Sequence, residues 1–403
     1  MFKKIRVAIL LFPFLACSIA HADTSGWPNV TAGAAYCYVT NTDNMRDLFL
    51  ERNGHMAYTL KVGFNTTPDD GNAAYAERYN YPVLGFGATF DNCTTMKFKN
   101  NSRLGNFLNV YTFMEGAFYK NKYGSIGYWA SIGMGITSEM YDPITNPCQL
   151  HIGAPLSIYL TCGPQIKLRP IDDFELAINA YWYHHSNGNM WMSNVGLNGY
   201  AIGATLTYNI DKPYTKQVSR LTLHPEYDRG MHYDFFTSYG LHACKTEFKA
   251  FNELVEDPEK KQKDFRSRPR IGLGFDAVYR YCLLCSTGLT LEAGYNWDGE
   301  MLKKSDLVIY GPEAVAASKG YNPFNCSLGF VHEFYYGNVT AYMGCSAYLY
   351  RHVGINEDFS RFFQRIGMRF YFPHFSNAYA GWNIRSTKFN NADFFEFQIG
   401  IRI

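Results

Sequence analysis

Apolar and polar residues alternate with a period of two along most of this chain. The clearest run is Phe174–Ser186, in which Phe174, Leu176, Ile178, Ala180, Trp182, His184 and Ser186 fall on one face and Glu175, Ala177, Asn179, Tyr181, Tyr183 and His185 on the other. The next run, Asn198–Ile210, sorts Asn198, Tyr200, Ile202, Ala204, Leu206, Tyr208 and Ile210 against small or polar residues. Eight such segments are predicted in the first half: Gly33–Thr40, Ala57–Asn65, Pro82–Asp91, Asn109–Tyr119, Ser125–Thr137, Pro155–Pro170, Phe174–Ser186 and Asn198–Ile210. Their connections differ in length. Lys120–Gly124 and Arg169–Asp173 read as tight turns, whereas Ser138–Ala154 and Asn187–Leu197 are longer and rich in Pro, Asn and Gly.

A stretch from Asp211 to Asp234 with Pro213, Pro225 and several charges reads as a boundary. Beyond it alternation resumes near Ser238–Phe248, Arg270–Leu283, Leu289–Trp297, Asn325–Tyr335, Asn338–Tyr348, Phe362–Phe372, Asn377–Ser386 and Phe394–Ile403. The last is the cleanest, with Phe395, Phe397, Ile399, Ile401 and Ile403 outward and Glu396, Gln398, Gly400 and Arg402 inward. Glu253–Arg270, dense in charge, reads as a solvated loop. The halves look like weak repeats: Gly163–Pro170 and its following strand resemble Gly367–Pro373 and its follower. With a short gap, Ser386 takes the place of Ser186, but Ile384 stands where His184 would be.

Alternation of this kind suits either a soluble sheet with one packed face or a membrane barrel with its apolar face in lipid. The N-terminus bears on that choice. Lys3, Lys4 and Arg6 precede an apolar run from Val7 to Ala20, and Ala20-His21-Ala22 forms a small-x-small cleavage site, so residues 1–22 read as a secretory signal peptide. A lipoprotein site at Cys17 is a poorer fit. No later apolar stretch is long enough to span a bilayer as a helix, which leaves a closed barrel as the means of insertion. Composition agrees: aromatic residues make up 17% and charged residues only 18%, the balance expected of short strands with aromatic girdles. The reading is an all-β antiparallel transmembrane β-barrel, with eight strands in the first half and a second, degenerate barrel-like half. Two eight-stranded barrels are expected, with one sixteen-stranded barrel as the alternative.

A net charge of +2 gives no electrostatic basis for nucleic-acid binding. Ten cysteines less Cys17 leaves nine, scattered through strands and loops without the look of a disulfide framework. Cys282-Leu-Leu-Cys285 has metal-like spacing but lacks a second pair to complete a zinc set. No metal and no cofactor is therefore expected.

The candidate chemistry lies at the end of the seventh segment. A serine hydroxyl needs an imidazole to take its proton, and the imidazole needs a partner to set its tautomer. Residues i and i+2 of a strand share a face, so His184 is placed to serve Ser186, and Asn198 on the adjacent strand is placed to orient His184. Gly188 N–H and the Asn187 and Asn194 side-chain amides are the candidate oxyanion donors. The bland alternative is a polar patch on a barrel rim, yet polar groups on a lipid face are costly unless partnered or functional. His185 points the other way and reads as a hydrogen-bonding residue of the barrel interior.

Tyr141-Asp-Pro-Ile-Thr-Asn-Pro147, His184-x-Ser186-Asn187-Gly188 and Ser193-Asn194-x-Gly196-x-Asn198 together resemble the outer-membrane lipid A 3-O-deacylase (PagL) and acyloxyacyl hydrolase family, particularly its longer Bacteroidetes-like members. The resemblance covers about Tyr36 to Tyr208. It implies a serine esterase in the Gram-negative outer membrane that removes an ester-linked acyl chain from lipid A, with His184 as base and Ser186 as nucleophile. By the same resemblance Asn194 and the Gly188 amide form the oxyanion hole. Asn198 departs from the Glu usual in such deacylases. His-x-Ser-Asn-Gly with this Asn is also similar to outer-membrane phospholipase A, which keeps a calcium-dependent phospholipase open, beside a non-enzymatic surface barrel. The expected organisation is a signal peptide at 1–22, a deacylase-like catalytic barrel at 23–212, a linker at 213–235 and an inactive barrel-like domain at 236–403. Expected partners are lipopolysaccharide and outer-membrane lipids, with a homodimer left open.

Overall fold

In a computed structural model, residues 27–40, 49–51, 53–67, 72–210, 226–265, 267–355, 361–375, 377–388 and 391–403 are described. Residues 1–22, expected to be a signal peptide, and residues 213–225 of the expected linker lie outside them. The chain divides into two compact units, one of Met1–Asn187 with Ser193–Pro225 and one of Glu226–Ile403 with Gly188–Met192.

The first unit is a closed antiparallel barrel. In chain order its strands are β1 (Pro28–Val39), β3 (Gly54–Asn65), β4 (Val83–Asn92), β6 (Phe107–Asn121), β7 (Gly124–Ile136), β8 (Leu156–Ile171), β9 (Phe174–Ser186) and β10 (Leu197–Asn209), with β1 pairing β10 to complete the ring. The short strands β2 (Phe49–Glu51) and β5 (Lys97–Phe98) pair outside the ring. Each predicted segment of this half is one of the eight ring strands, with ends shifted by a few residues.

Burial is inverted relative to a soluble core. Outward residues are large and apolar yet exposed, among them Leu60, Ile166, Ile178, Tyr200, Ile202 and Leu206. Inward residues are buried and largely polar: Thr31 meets Thr207 at 2.8 Å, Ser131 meets Thr161 at 2.6 Å, and Glu115 binds Lys61 and, at 2.6 Å, Lys167. An apolar belt around a polar, side-chain-filled interior is the arrangement lipid stabilises, since closure pairs every strand edge and the belt meets hydrocarbon. No described helix is long and apolar enough to cross a membrane.

The second unit is likewise a closed eight-stranded barrel: β11 (Gly230–His242), β12 (Arg268–Arg280), β13 (Cys285–Asn296), β14 (Tyr321–Tyr336), β15 (Val339–Val353), β16 (Phe362–Phe372), β17 (Ala378–Thr387) and β18 (Asn391–Arg402), closed by β11 on β18. Two rings of eight are the expected arrangement and exclude the single sixteen-stranded alternative, and the second ring is complete rather than degenerate. Two further expectations are corrected. The strand expected at Ser238–Phe248 runs instead from Gly230 to His242, because inward His232 and Asp234 belong to the alternation rather than to a linker, and Lys245–Phe248 turns into a short helix. The charged stretch ending at Arg270 is not wholly solvated: Arg270 lies inside the barrel, bound to Glu292 and Glu396. A helix at Gly299–Ala317, kinked at Gly311 (φ +83°) ahead of Pro312, links β13 to β14.

Arg270 is part of a network that fills this barrel. Arg365 and Arg385 share Glu292 with it, and Arg369 reaches Asp234 at 2.8 Å, Asp276 at 2.6 Å and Glu333 at 3.0 Å. Arg402, from the last strand, closes on Asp234 at 2.7 Å and Glu333 at 2.8 Å. One carboxylate stands for each guanidinium, so the buried charges cancel.

Candidate active site

The site lies where β9 ends. Alternation along β9 puts His184 and Ser186 on the outward side with Leu176, Ile178 and Trp182, the register its sequence predicts. Pairing of β9 with β10 sets Asn198 directly opposite His184 and Tyr200 opposite Trp182. This is the end of the barrel that carries the longer loops, 137–155 and 187–196, whereas the tight turns between β6 and β7 and between β8 and β9 close the other end.

His184 Nδ1 lies 2.8 Å from Asn198 Oδ1, and the ring stacks on Trp182 with centroids 5.6 Å apart at 11°. Because an amide oxygen only accepts, Nδ1 carries the proton and Nε2 keeps its lone pair for proton abstraction. Ser186 is buried at the strand end, and Asn194 Nδ2 donates to its Oγ at 3.2 Å. Asn194 Oδ1 in turn accepts from the Asn187 backbone N–H at 3.0 Å. One amide side chain therefore ties the nucleophile to the residue after it. Asn187 is buried, and Gly188, with a φ of +62°, opens the segment Gly188–Met192 that groups with the second unit.

Sequence reasoning did not foresee how the loop holding Asn194 is anchored. Val195 and Gly196 donate their backbone N–H groups to Leu150 and His151 carbonyls, and His151 Nδ1 reaches Gly196 O at 2.8 Å. The neighbouring loop is itself braced: Asp142 Oδ1 accepts from Ile144 N at 2.9 Å and Thr145 N at 2.8 Å, an Asx turn, and Asn146 clamps Arg103 through both its amide atoms. The Tyr141–Pro147 stretch thus buttresses the wall on which the Asn194 loop rests. Asp-Pro and Asn-Pro pairs mark a turn in sequence, but nothing in them shows what the turn supports.

Gly196 stands within the motif Ser193-Asn194-x-Gly196-x-Asn198. Its φ is +80°, and a Cβ there would stand 3.2 Å from His184 Cε1, the ring atom between the two nitrogens. Left-handed backbone and the imidazole edge both demand glycine at this point.

His151 is fully buried in the loop, and burial holds its pKa down to about 4 despite the Gly196 carbonyl, which pulls it up. The folded loop thus takes up a proton less readily than the unfolded chain, whose imidazole titrates near 6.5. Stability from neutral His151 is complete above pH 6.5 and is lost as pH falls from there toward 4. Limited proteolysis is expected to cut within 138–154 faster at pH 4.5 than at pH 7.5, and His151→Gln is expected to flatten that difference.

Among solved structures, the chain is similar to a de novo designed transmembrane β-barrel (14% identity, 45% of this chain and 95% of that one, TM-score 0.23) and to the Yersinia pestis outer membrane protein Ail (14% identity, 46% and 100%, TM-score 0.25). Acinetobacter baumannii OccAB1 is matched at 9% identity over 94% of this chain and 98% of that one, with a TM-score of 0.23. No curated protein matches the sequence. A family model does, and it falls on the second barrel rather than on the Tyr36–Tyr208 stretch that carries the sequence resemblance. Residues 231–403 match the family model described as acyloxyacyl hydrolase, C-terminal domain.

Proposed function

We propose that this chain is an outer-membrane serine esterase that removes an ester-linked acyl chain from lipid A. The observation that carries the reading is the polar cluster of His184, Asn198, Ser186 and Asn194 on the otherwise apolar outward side of the first barrel, at its long-loop end. Polar groups at the edge of a lipid-facing belt meet their substrate from the membrane, and the acyl esters of lipid A lie at that level of the outer leaflet. The family of residues 231–403 supports ester hydrolysis and a lipid A substrate.

In the proposed reaction His184 Nε2 takes the Ser186 hydroxyl proton as Oγ bonds to the ester carbonyl carbon. The oxyanion accepts hydrogen bonds from Asn194 Nδ2 and the Gly188 N–H, with the Asn187 amide as a further donor. Collapse breaks the bond to the sugar oxygen, which leaves with the proton from His184, and the acyl group stays on Ser186. Water repeats the sequence: His184 takes its proton, the acyl bond to Oγ breaks, and Oγ recovers a proton. Residues 1–22 would direct export, 23–212 would be the catalytic barrel, and 236–403, with Ile384 in place of a base, would be its inactive companion.

Lipid A from Gram-negative cells expressing the chain is expected to lose the mass of one acyl group relative to cells without it, read by mass spectrometry. Unchanged lipid A would overturn the proposal. One observation favours a second reading: His184 is held by an amide, the Ser-His-Asn arrangement of outer-membrane phospholipase A. Calcium-dependent release of fatty acid from glycerophospholipids, with lipid A untouched, would select it.

Two graded variants follow. Asn198→Ala keeps base and nucleophile but frees the ring, so kcat is expected to fall about 10²- to 10⁴-fold with KM little changed. Gly196→Ala presses a methyl group on the His184 ring. Displacement of a catalytic group by about 1 Å costs on the order of 10²-fold in rate, and a loss of that size with native gel mobility is expected.

A further inference from the structure

We propose that the interior of the first barrel holds a zinc ion on Cys37, His55 and Asp91. Cys37 on β1 and His55 on β3 stand directly opposite each other, and Asp91 on β4 stands opposite Ala57, two residues along the same face of β3. Three adjacent strands thereby aim a thiol, an imidazole and a carboxylate at one point, each offering a ligand atom within 4.8 Å of the other two.

All three side chains are buried, at 2%, 4% and 4% exposure, and neither ring nitrogen of His55 has a hydrogen-bond partner among the described residues. His55 Nε2 is 3.7 Å from Asp91 Oδ1. That is longer than a hydrogen bond, which would close to roughly 2.7–3.2 Å. It is close to the roughly 3.4 Å that separates two ligand atoms each about 2.1 Å from a tetrahedral zinc. The other Asp91 oxygen accepts from Asn109 Nδ2 at 2.7 Å and faces His185 Nε2 at 3.7 Å, and His185 Nδ1 meets Ser157 Oγ at 3.2 Å. These are the outer contacts that orient a ligating carboxylate.

Charge favours the same ion. A thiolate and a carboxylate balance a divalent cation, so the assembled site is neutral where an unpaired carboxylate would be costly. Mixed sulfur, nitrogen and oxygen donors suit zinc and not magnesium or calcium, which take oxygen alone. Three protein ligands leave a fourth position open. Since His185 is flanked by His184 and Ser186 on β9, the ion would brace the barrel wall behind the candidate active site.

The test uses the full chain folded in detergent after chelator treatment, with Cys282 and Cys285 both changed to Ser so that their paired thiols contribute nothing. Titrated with Zn²⁺ alone, it is expected to retain about one equivalent after desalting. Cys37→Ser and His55→Gln are expected to lose it, and Asn109→Ala to weaken it by about 10- to 100-fold. Cobalt in place of zinc is expected to give a thiolate-to-metal absorption band in the parent protein, a readout that does not depend on any ligand variant folding. Absence of that band, or zinc retention unaffected by Cys37→Ser in a folded barrel, would each overturn the proposal.

Discussion

Ser186→Ala is expected to abolish acyl release while both barrels assemble. The change removes one oxygen from a strand end whose backbone pairing, Ile158 opposite Ser186, does not involve the side chain. Without Oγ there is nothing for His184 to deprotonate and no acyl-enzyme to form. Loss of a nucleophile in such a unit costs about 10⁴- to 10⁶-fold in kcat. His184→Ala is expected to cost a similar factor, and the double variant no more than either alone, because base and nucleophile act as one unit. The measurement is release of free fatty acid by purified variants that keep the native, heat-modifiable gel mobility. Full activity in either single variant would remove Ser186 or His184 from the mechanism, and additive losses would mean that the two act separately.

Arg369→Met is expected to be the most damaging single change in the second barrel. The guanidinium contacts Asp234, Asp276 and Glu333 and lies over the Phe236, Tyr342 and Tyr379 rings, with centroids 5.6, 4.4 and 5.0 Å away. Methionine fills much of the volume but leaves Asp234 and Glu333 with Arg402 as their remaining cation and takes from Asp276 the guanidinium it pairs with. Breaking a buried ion pair from one side costs about 3–5 kcal/mol, because the partner charge stays desolvated. Urea unfolding in detergent, followed by loss of native gel mobility, is expected to move to markedly lower urea. A midpoint within about 0.5 kcal/mol of the parent, the range of ordinary surface changes, would show that the network is dispensable. Coupled replacement of Arg369 and its carboxylates by apolar residues is expected to recover much of the loss, since the penalty lies in the unpaired charge.

Much of both barrels was readable because alternation is local. Phe174–Ser186 was placed to the residue, and so was the sharing of one face by His184 and Ser186. The misplacements have a common cause. Asp234 and Arg270 looked like linker and solvated loop because charge in sequence reads as exposure, whereas in a filled barrel it faces inward. The helix at Gly299–Ala317 was missed because Gly311 and Pro312 lie inside it, and both argue against a helix until its kink is seen. Asn194 was a candidate by resemblance, but its two-sided hold on Ser186 and Asn187 depends on a loop anchored by residues more than forty positions earlier. Cys37, His55 and Asp91 form no motif in sequence, because they are far apart along the chain and meet only across strands.

What the sequence determined by itself is the set of strands, the side each residue takes, and the pairing of a base with a nucleophile two residues on. Each follows from backbone geometry within a single strand. Tertiary structure alone decided that the second set of strands closes as a complete ring, that the loop after β9 brings Asn194 onto Ser186 and Asn187, and that the acidic and basic residues of the second half meet inside one barrel. These outcomes depend on which strand edges hydrogen-bond and in what register, and every strand offers the same unpaired N–H and C=O groups at its edges. Only closure of the ring selects among the partners.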